Sequence, residues 1–154
     1  VSWKLPKAFS HITWYGKGPQ ETYRDRQAGG RLGRFETTSA LSCTPYLIPQ
    51  ECGNHVETRW VALTDSSDTG IRVESAVPFE FSVLPYTCHE LEGARHWFEL
   101  PKPYASVLRI LEQQTGVGGD NSWGAWAHKP YRLSGEETRT FSFSIRMLQN
   151  GRTA

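Results

Sequence analysis

Apolar residues recur in this chain at every second position, and almost nowhere at helical spacing. The clearest run is Phe141, Phe143, Ile145 and Met147, with Ser142, Ser144 and Arg146 between them facing water. Side chains alternate across the two faces of a strand, so this pattern describes a half-buried strand and disfavours a helix. Val56 to Thr64 alternates in the same way, with Trp60 and Val61 on opposite faces. Ser66–Gly70 then reads as a turn, after which Ile71, Val73 and Val77 share a face. Pro78 breaks that run, and Phe79, Phe81 and Val83 continue it on a new strand. Ser106–Gln113 alternates once more. Residues 8–15 are rich in strand formers and end at Gly16, which makes them the first predicted strand.

Between these runs lie turns and irregular chain. Gly16–Arg26 is a polar loop, and residues 27–42 hold at most a short strand near Gly33–Glu36. Thr44–Pro49 is extended because each proline pushes the preceding residue out of helical space. Cys88–His96 is the only segment that can be written as a helix, one or two turns long with Gly93 inside it. Trp97–Leu100 and Tyr131–Leu133 are predicted as extended pieces, and residues 150–154 as a frayed tail after a domain spanning 1–149. Short strands, many turns and one stub of helix predict an all-β antiparallel sandwich.

At 154 residues the chain is long enough for one real core. Seventeen basic residues against sixteen acidic ones give a net charge of +1, which offers no nucleic-acid face and no polybasic membrane patch. No apolar stretch is long enough to span a bilayer. Cys43, Cys52 and Cys88 are an odd set without a CxxC, so neither a disulfide framework nor a zinc knuckle is written here; a reducing, cytoplasmic setting is expected. The five histidines fall at no metal-ligand spacing, and no cofactor or metal is expected in this chain.

One segment is neither strand nor helix: Gly116-Val117-Gly118-Gly119-Asp120-Asn121-Ser122-Trp123-Gly124-Ala125-Trp126. Its glycines permit close packing and positive φ, while Asp120, Asn121 and Ser122 can bond the loop's own amides. Such a loop is shaped rather than floppy, and the side chain it presents is Trp123. An indole offers a flat apolar plate and one N–H donor, which suits the C–H face of a sugar ring. From the loop alone, burial of Trp123 in the core is the commoner outcome. Trp126, flanked by small residues, reads as core.

Trp14-Tyr15-Gly16-Lys17-Gly18-Pro19-Gln20-Glu21-Thr22-Tyr23-Arg24-Asp25-Arg26 resembles the WYGxGPxExYxDR signature of the C-terminal domain of glycoside hydrolase family 2 β-galactosidases, a domain also found as the separate small chain of two-subunit enzymes. Thr44–Glu51 followed by Gly53-Asn54 is similar to that family's TPYxxPQENGN, and Gly116–Trp123 to its GxGGDDSW. Asn121 stands where the family usually has a second Asp, and Cys52 where it usually has Asn. The resemblance runs from about residue 9 to 148. It implies half of a galactose-mutarotase-like supersandwich, with the remaining β-galactosidase domains or a large chain as partner, a β-galactoside such as lactose as substrate, and a possible homo-oligomer. It implies that Trp123 stacks on the aglycone side of the substrate, supported by Gly116, Gly118, Gly119, Asp120, Asn121 and Ser122. It also implies that Mg and Na belong to other domains, and that both catalytic carboxylates lie outside this chain.

Retaining glycoside hydrolysis needs two carboxyl groups about 5 Å apart in unlike environments. Glu21 with Asp25, Glu51 with Glu57, and Glu136 with Glu137 are neighbours in sequence, but none has a context that would set the two partners apart. The resemblance makes Glu21, Asp25, Arg26 and Glu51 structural. Ser122 has no nucleophile elbow, so acyl transfer is not supported.

Overall fold

The computed structural model describes residues 1–121 and 123–153, with only the backbone of Arg152 and Thr153. Its strands are β1 (Ser2–Pro6), β2 (His11–Gly18), β3 (Arg31–Thr38), β4 (His55–Thr64), β5 (Gly70–Leu84), β6 (Ala105–Leu111), β7 (Ser144–Gln149) and β8 (Arg152–Thr153). All belong to one antiparallel sheet in the order β1-β6-β5-β4-β2-β3, with β7 on β5 and β8 on β7. Among the described residues there is one short α-helix, α1 (Cys88–Gly93), closed at its N-terminus by a Thr87/Glu90 capping box. The fold is thus nearly all-β, built on one antiparallel sheet and consistent with a sandwich-type domain. Among the described residues no helix is long and apolar enough to cross a membrane.

The irregular part of the sheet is β5, which changes partners along its length. Its first part, Gly70–Glu74, pairs with β4 and β7; its last part, Glu80–Leu84, pairs with β6. Between them the ladder with β4 skips twice, and Glu57 of β4 sits at φ 55. Pro78 was expected to end the strand. It lies instead in an exposed bulge with Ala76 and Val77, where its missing N–H leaves no ladder bond unmade, so one long bent strand replaces two short ones. The bulge also carries Val77 out of the face it was expected to share with Ile71 and Val73.

Inside the bend, Ile12 and Trp14 of β2, Val61 and Leu63 of β4, Ile71, Val73, Phe79, Phe81 and Val83 of β5, and Leu108 and Ile110 of β6 form one core. At its centre the Trp14 ring lies 4.3 Å from His55, 5.4 Å from Phe35 and 5.9 Å from Phe81.

Several elements depart from the sequence expectation. β1 lies ahead of the predicted first strand and pairs along β6. β2 runs on to Gly18, and β3 is an eight-residue strand paired along all of β2, although its own side chains show no clean alternation. Trp97–Glu99 is a 3-10 turn rather than an extended piece, and the piece predicted as extended over Tyr131–Leu133 begins on the last residue of another 3-10 turn, Lys129–Tyr131, with Arg132 extended after it. Asn150 and Gly151, both at positive φ, close a hairpin into β8 where a frayed tail was expected. Phe141 and Phe143 pack on the core, but strand structure begins only at Ser144, and Ile145 and Met147 are half exposed. Pairing of Val73 with Ile145 and Ile71 with Met147 puts those two side chains on the core face, at the β7 margin where that face meets solvent.

Candidate functional site

The three motifs converge at one end of the sheet, through the residues 19–27 that follow β2. A tight turn, with Tyr23 and Arg26 exchanging backbone hydrogen bonds of 3.0 and 2.9 Å, is rooted by the buried Tyr23 ring. Glu21, before this turn, reaches into the second motif. Its carboxylate accepts from Thr44 Oγ1 at 2.9 Å and from the Gly53 amide at 2.6 Å, and also from the Tyr46 hydroxyl and the Arg26 guanidinium. Burial opposes ionisation of Glu21, but these donors together hold its carboxyl below the usual range. Thr22 completes the join: its hydroxyl accepts from the Val56 amide at 3.0 Å and its carbonyl from Asn54 Nδ2 at 3.1 Å.

Asp25, at the tip of the turn, reaches the third motif. Its two carboxylate oxygens accept from the amides of Val117 at 3.1 Å and Gly118 at 2.7 Å. The glycine loop is closed at its base, where the Gly116 amide donates to the Tyr131 carbonyl at 2.8 Å. Among the described glycines of the loop only Gly124 has positive φ, so the others are there for contact rather than for a left-handed backbone. A Cβ on Gly116 would lie 2.5 Å from Asp25 Oδ2, and one on Gly119 would collide with the Ala125 carbonyl. Asp120 Oδ1 meets His128 Nε2 at 2.6 Å across the loop, and Asn121 Oδ1 accepts from the Trp123 amide at 2.8 Å. Ser122 lies outside the described residues.

Trp123 projects from this frame 90% exposed. Trp126, expected in the core, is 75% exposed, with the Arg132 guanidinium 5.5 Å from its ring centroid. The core contact at this point is made by Ala127 instead. Beside the loop a cleft of about 190 Å³ is lined by Asp25, Gly118, Gly119, Asp120, His128 and Tyr131, and Asp25 also borders a cleft of about 350 Å³ along Gly18–Thr22.

The carboxylates that neighbour one another in sequence serve different partners. Glu21 and Asp25 point into different motifs, and Glu51 binds Arg109 at 2.6 Å while Glu57 is exposed on its bulge. Among the described residues no group of three or more His, Cys, Asp or Glu could hold a metal ion. Cys43 and Cys52 lie with their sulfurs 3.7 Å apart as free thiols, so Cys52 meets a thiol where the family's usual amide would stand.

Sequence reasoning missed Glu80. In the run Phe79-Glu80-Phe81-Ser82-Val83 it falls on the face opposite the phenylalanines and reads as solvent-facing, yet it is only 4% exposed. Asn54 Nδ2 donates to it at 2.9 Å, and a cleft of about 270 Å³ bordered by Arg24, Glu112, Pro130 and Tyr131 opens beside it. Burial pushes its carboxyl up to about 7, against the opposing effects of Asn54, the Gln114 backbone and Arg24. No local signal marks it, because the cover comes from segments far away in sequence.

A family model described as beta galactosidase small chain matches residues 1–147. The beta-galactosidase BgaC of Bifidobacterium adolescentis is 43% identical over 151 residues, covering 96% of this chain and 14% of that protein. A beta-galactosidase of Streptococcus thermophilus is 40% identical over 149 residues, again 96% of this chain and 14% of the relative. A beta-galactosidase small subunit of Latilactobacillus sakei is 43% identical over 136 residues, or 81% of this chain and 42% of that subunit. The chain therefore spans less than half the length of each of these relatives. The likeness takes in all three motifs that Glu21 and Asp25 tie together, and the chain belongs to the beta galactosidase small chain family.

Proposed function

We propose that this chain forms part of the aglycone wall of a β-galactosidase that cleaves terminal non-reducing β-D-galactosides such as lactose. In this reading Trp123 stacks on the leaving sugar, and the catalytic pair of a retaining mechanism belongs to another domain or a large chain. The observation that carries it is the placement of Trp123: an almost fully exposed indole on a loop pinned at its base and flank, in a chain of this family. An apolar plate held in water has no role in its own core, and stacking contributes on the order of 1 kcal/mol to a bound ring. Stacking raises turnover only where the contact tightens in the transition state.

In the complete enzyme, Trp123→Ala is expected to weaken lactose and acceptor glucose while galactose inhibition stays nearly constant. Equal losses on both sides of the scissile bond would remove the aglycone role. The isolated chain is expected to leave a chromogenic β-galactoside intact; turnover by the purified chain would place the catalytic pair here after all.

The exposure of a second indole, Trp126, favours one other reading: a carbohydrate-binding module that acts by itself. Titration of galactose, lactose and glucose against indole fluorescence separates the two. A half-site responds only in the millimolar range, whereas a self-sufficient module saturates well below it.

A further inference from the structure

Three consecutive side chains leave the tip of the 23–26 turn in three directions. Arg26 returns to Glu21 and Tyr46 in the body of the domain. Arg24 reaches the Pro130 carbonyl at 3.5 Å, where the glycine loop ends. Asp25 takes the amides of Val117 and Gly118, where the loop begins. We infer that Asp25 is the positioning residue of the Trp123 loop, a clasp that fixes where the indole stands without itself touching the sugar. Its kinetic consequence rests on the aglycone reading above; the clasp itself does not.

The geometry is specific to a carboxylate. Each oxygen accepts one of two successive amides, and a charged acceptor makes such bonds roughly twice as strong as a neutral one. An amide side chain would offer one oxygen and turn an NH2 group toward the second N–H donor. Gly116 fits the same purpose, since any Cβ there would stand in the space Asp25 Oδ2 occupies. The first and third motifs thus carry two halves of one contact, about ninety residues apart in sequence. The root of the clasp is firm, because the Tyr23 ring is buried and the turn is closed by reciprocal backbone bonds. Among the described residues of the loop, Val117, Gly118, Gly119 and Asp120 are exposed, and besides Asp25 the hydrogen bonds holding this segment are those of Gly116 to Tyr131 and of Asp120 to His128. Loss of two amide contacts at one end should therefore free the segment while the sheet stays intact.

The test uses the complete β-galactosidase that contains this chain, as Asp25→Asn, Asp25→Glu, Trp123→Ala and the double variant Asp25→Asn with Trp123→Ala. Amide hydrogen exchange at Val117 and Gly118, and chymotrypsin cleavage after Trp123 and Trp126, read the clasp with no substrate present. Asp25→Asn is expected to speed both by about tenfold, the loss of one charge-assisted contact. Asp25→Glu, which keeps both oxygens, is expected to recover most of the protection. In kinetics, Asp25→Asn should raise the lactose KM and weaken acceptor glucose while the galactose inhibition constant stays within about twofold. Added to Trp123→Ala it should cost almost nothing more, because the indole it positions is already gone.

Unchanged exchange and cleavage in Asp25→Asn would overturn the clasp, as would full additivity in the double variant. If Asp25→Asn fails to assemble, Asp25→Glu is read alone, and wild-type exchange and KM in that variant support the two-oxygen contact while a loss as large as in a misfolded enzyme overturns it. If the loop loosens but Trp123→Ala leaves glucose binding untouched, the clasp stands and the aglycone reading falls.

Discussion

Trp14 and Trp123 are the same residue in opposite settings. Trp14 is 1% exposed, ringed by His55, Phe35 and Phe81, with its Nε1–H donating to the Lys17 carbonyl at 3.1 Å. Trp123 is 90% exposed on a loop held by side-chain contacts to its backbone. The first indole is placed by the collapse of a core around it; the second is placed by hydrogen bonds made by other residues. Folding energy and the exposed indole are therefore assigned to different parts of the chain, and the two can be perturbed separately. The sharpest form of this difference is stability. Trp14→Ala is expected to cost about 3–5 kcal/mol, a large share of the roughly 5–15 kcal/mol that typically holds a domain folded, while Trp123→Ala should stay within about 0.5 kcal/mol. Denaturant unfolding of both variants checks it, and similar losses would erase the distinction.

The second prediction concerns two buried titratable groups of the sheet, one on β4 and one on β5. Burial pushes His55, between Trp14 and Phe81, down to about 4 from 6.5. The unfolded chain takes up this proton before the fold does, so His55 costs stability as pH falls from 6.5 to 4. Burial lifts Glu80 to about 7 from 4.5, so the fold keeps a proton that the unfolded chain has given up, and stability falls as pH rises from 4.5 to 7. The two slopes oppose each other over nearly the same window, each worth roughly 3 kcal/mol across it. Wild-type stability should accordingly show little net slope from these two groups between pH 4.5 and 6.5. His55→Phe should expose a gain on acidification, and Glu80→Gln a loss. Lys17 keeps a donor in the first variant, because Trp14 Nε1–H still points at its carbonyl. Parallel pH–stability curves for wild type and both variants would refute the cancellation.

A smaller effect separates the two acids of the first motif. Glu21→Gln leaves one carbonyl oxygen for four donors and should cost about 2 kcal/mol, read by denaturation and by faster exchange at the Gly53 amide. Its influence should stop at the second motif, leaving exchange at Val117 and Gly118 unchanged. Spread into the glycine loop would mean that the two acids act as one unit.

The same contrast explains what was legible in the sequence. β4 and β6 were visible because their own residues alternate, as Val61 and Leu63 or Leu108 and Ile110 do, and the short helix predicted over Cys88–His96 ends at Gly93. β3 was nearly invisible, since Arg31, Gly33 and Arg34 show no alternation and become a strand by pairing with β2. Pro78 gave a true local signal, but the bulge absorbed the break and made two strands one. In the site, the glycine loop announced its shape through Gly116, Gly119 and Asn121. Asp25's target and the burial of Glu80 did not, because each depends on segments far apart in sequence that only the folded chain brings together. Trp126 misled for a related reason: its alanine neighbours resemble a core context, yet only Ala127 is buried.

The smallest expected effect lies at the margin of the core. Ile145 and Met147 continue the apolar face of Ile71 and Val73 onto β7, where they are 47% and 57% exposed. A half-exposed side chain contributes only part of its transfer energy, so Ile145→Thr with Met147→Thr should lower the stability of the isolated chain by no more than about 1 kcal/mol. Its larger consequence should be on association. Among the described residues the only strand paired on the far side of β7 is the two-residue β8, which leaves a short strand edge beside an apolar strip, a combination that favours pairing between copies. Light scattering of the isolated chain should show concentration-dependent oligomers that the double variant reduces, while Trp123→Ala leaves them in place. If instead Trp123→Ala disperses the oligomers and the β7 variant does not, the exposed indole is the sticky surface, and the assignment of the glycine loop to a sugar rather than to a protein neighbour fails with it.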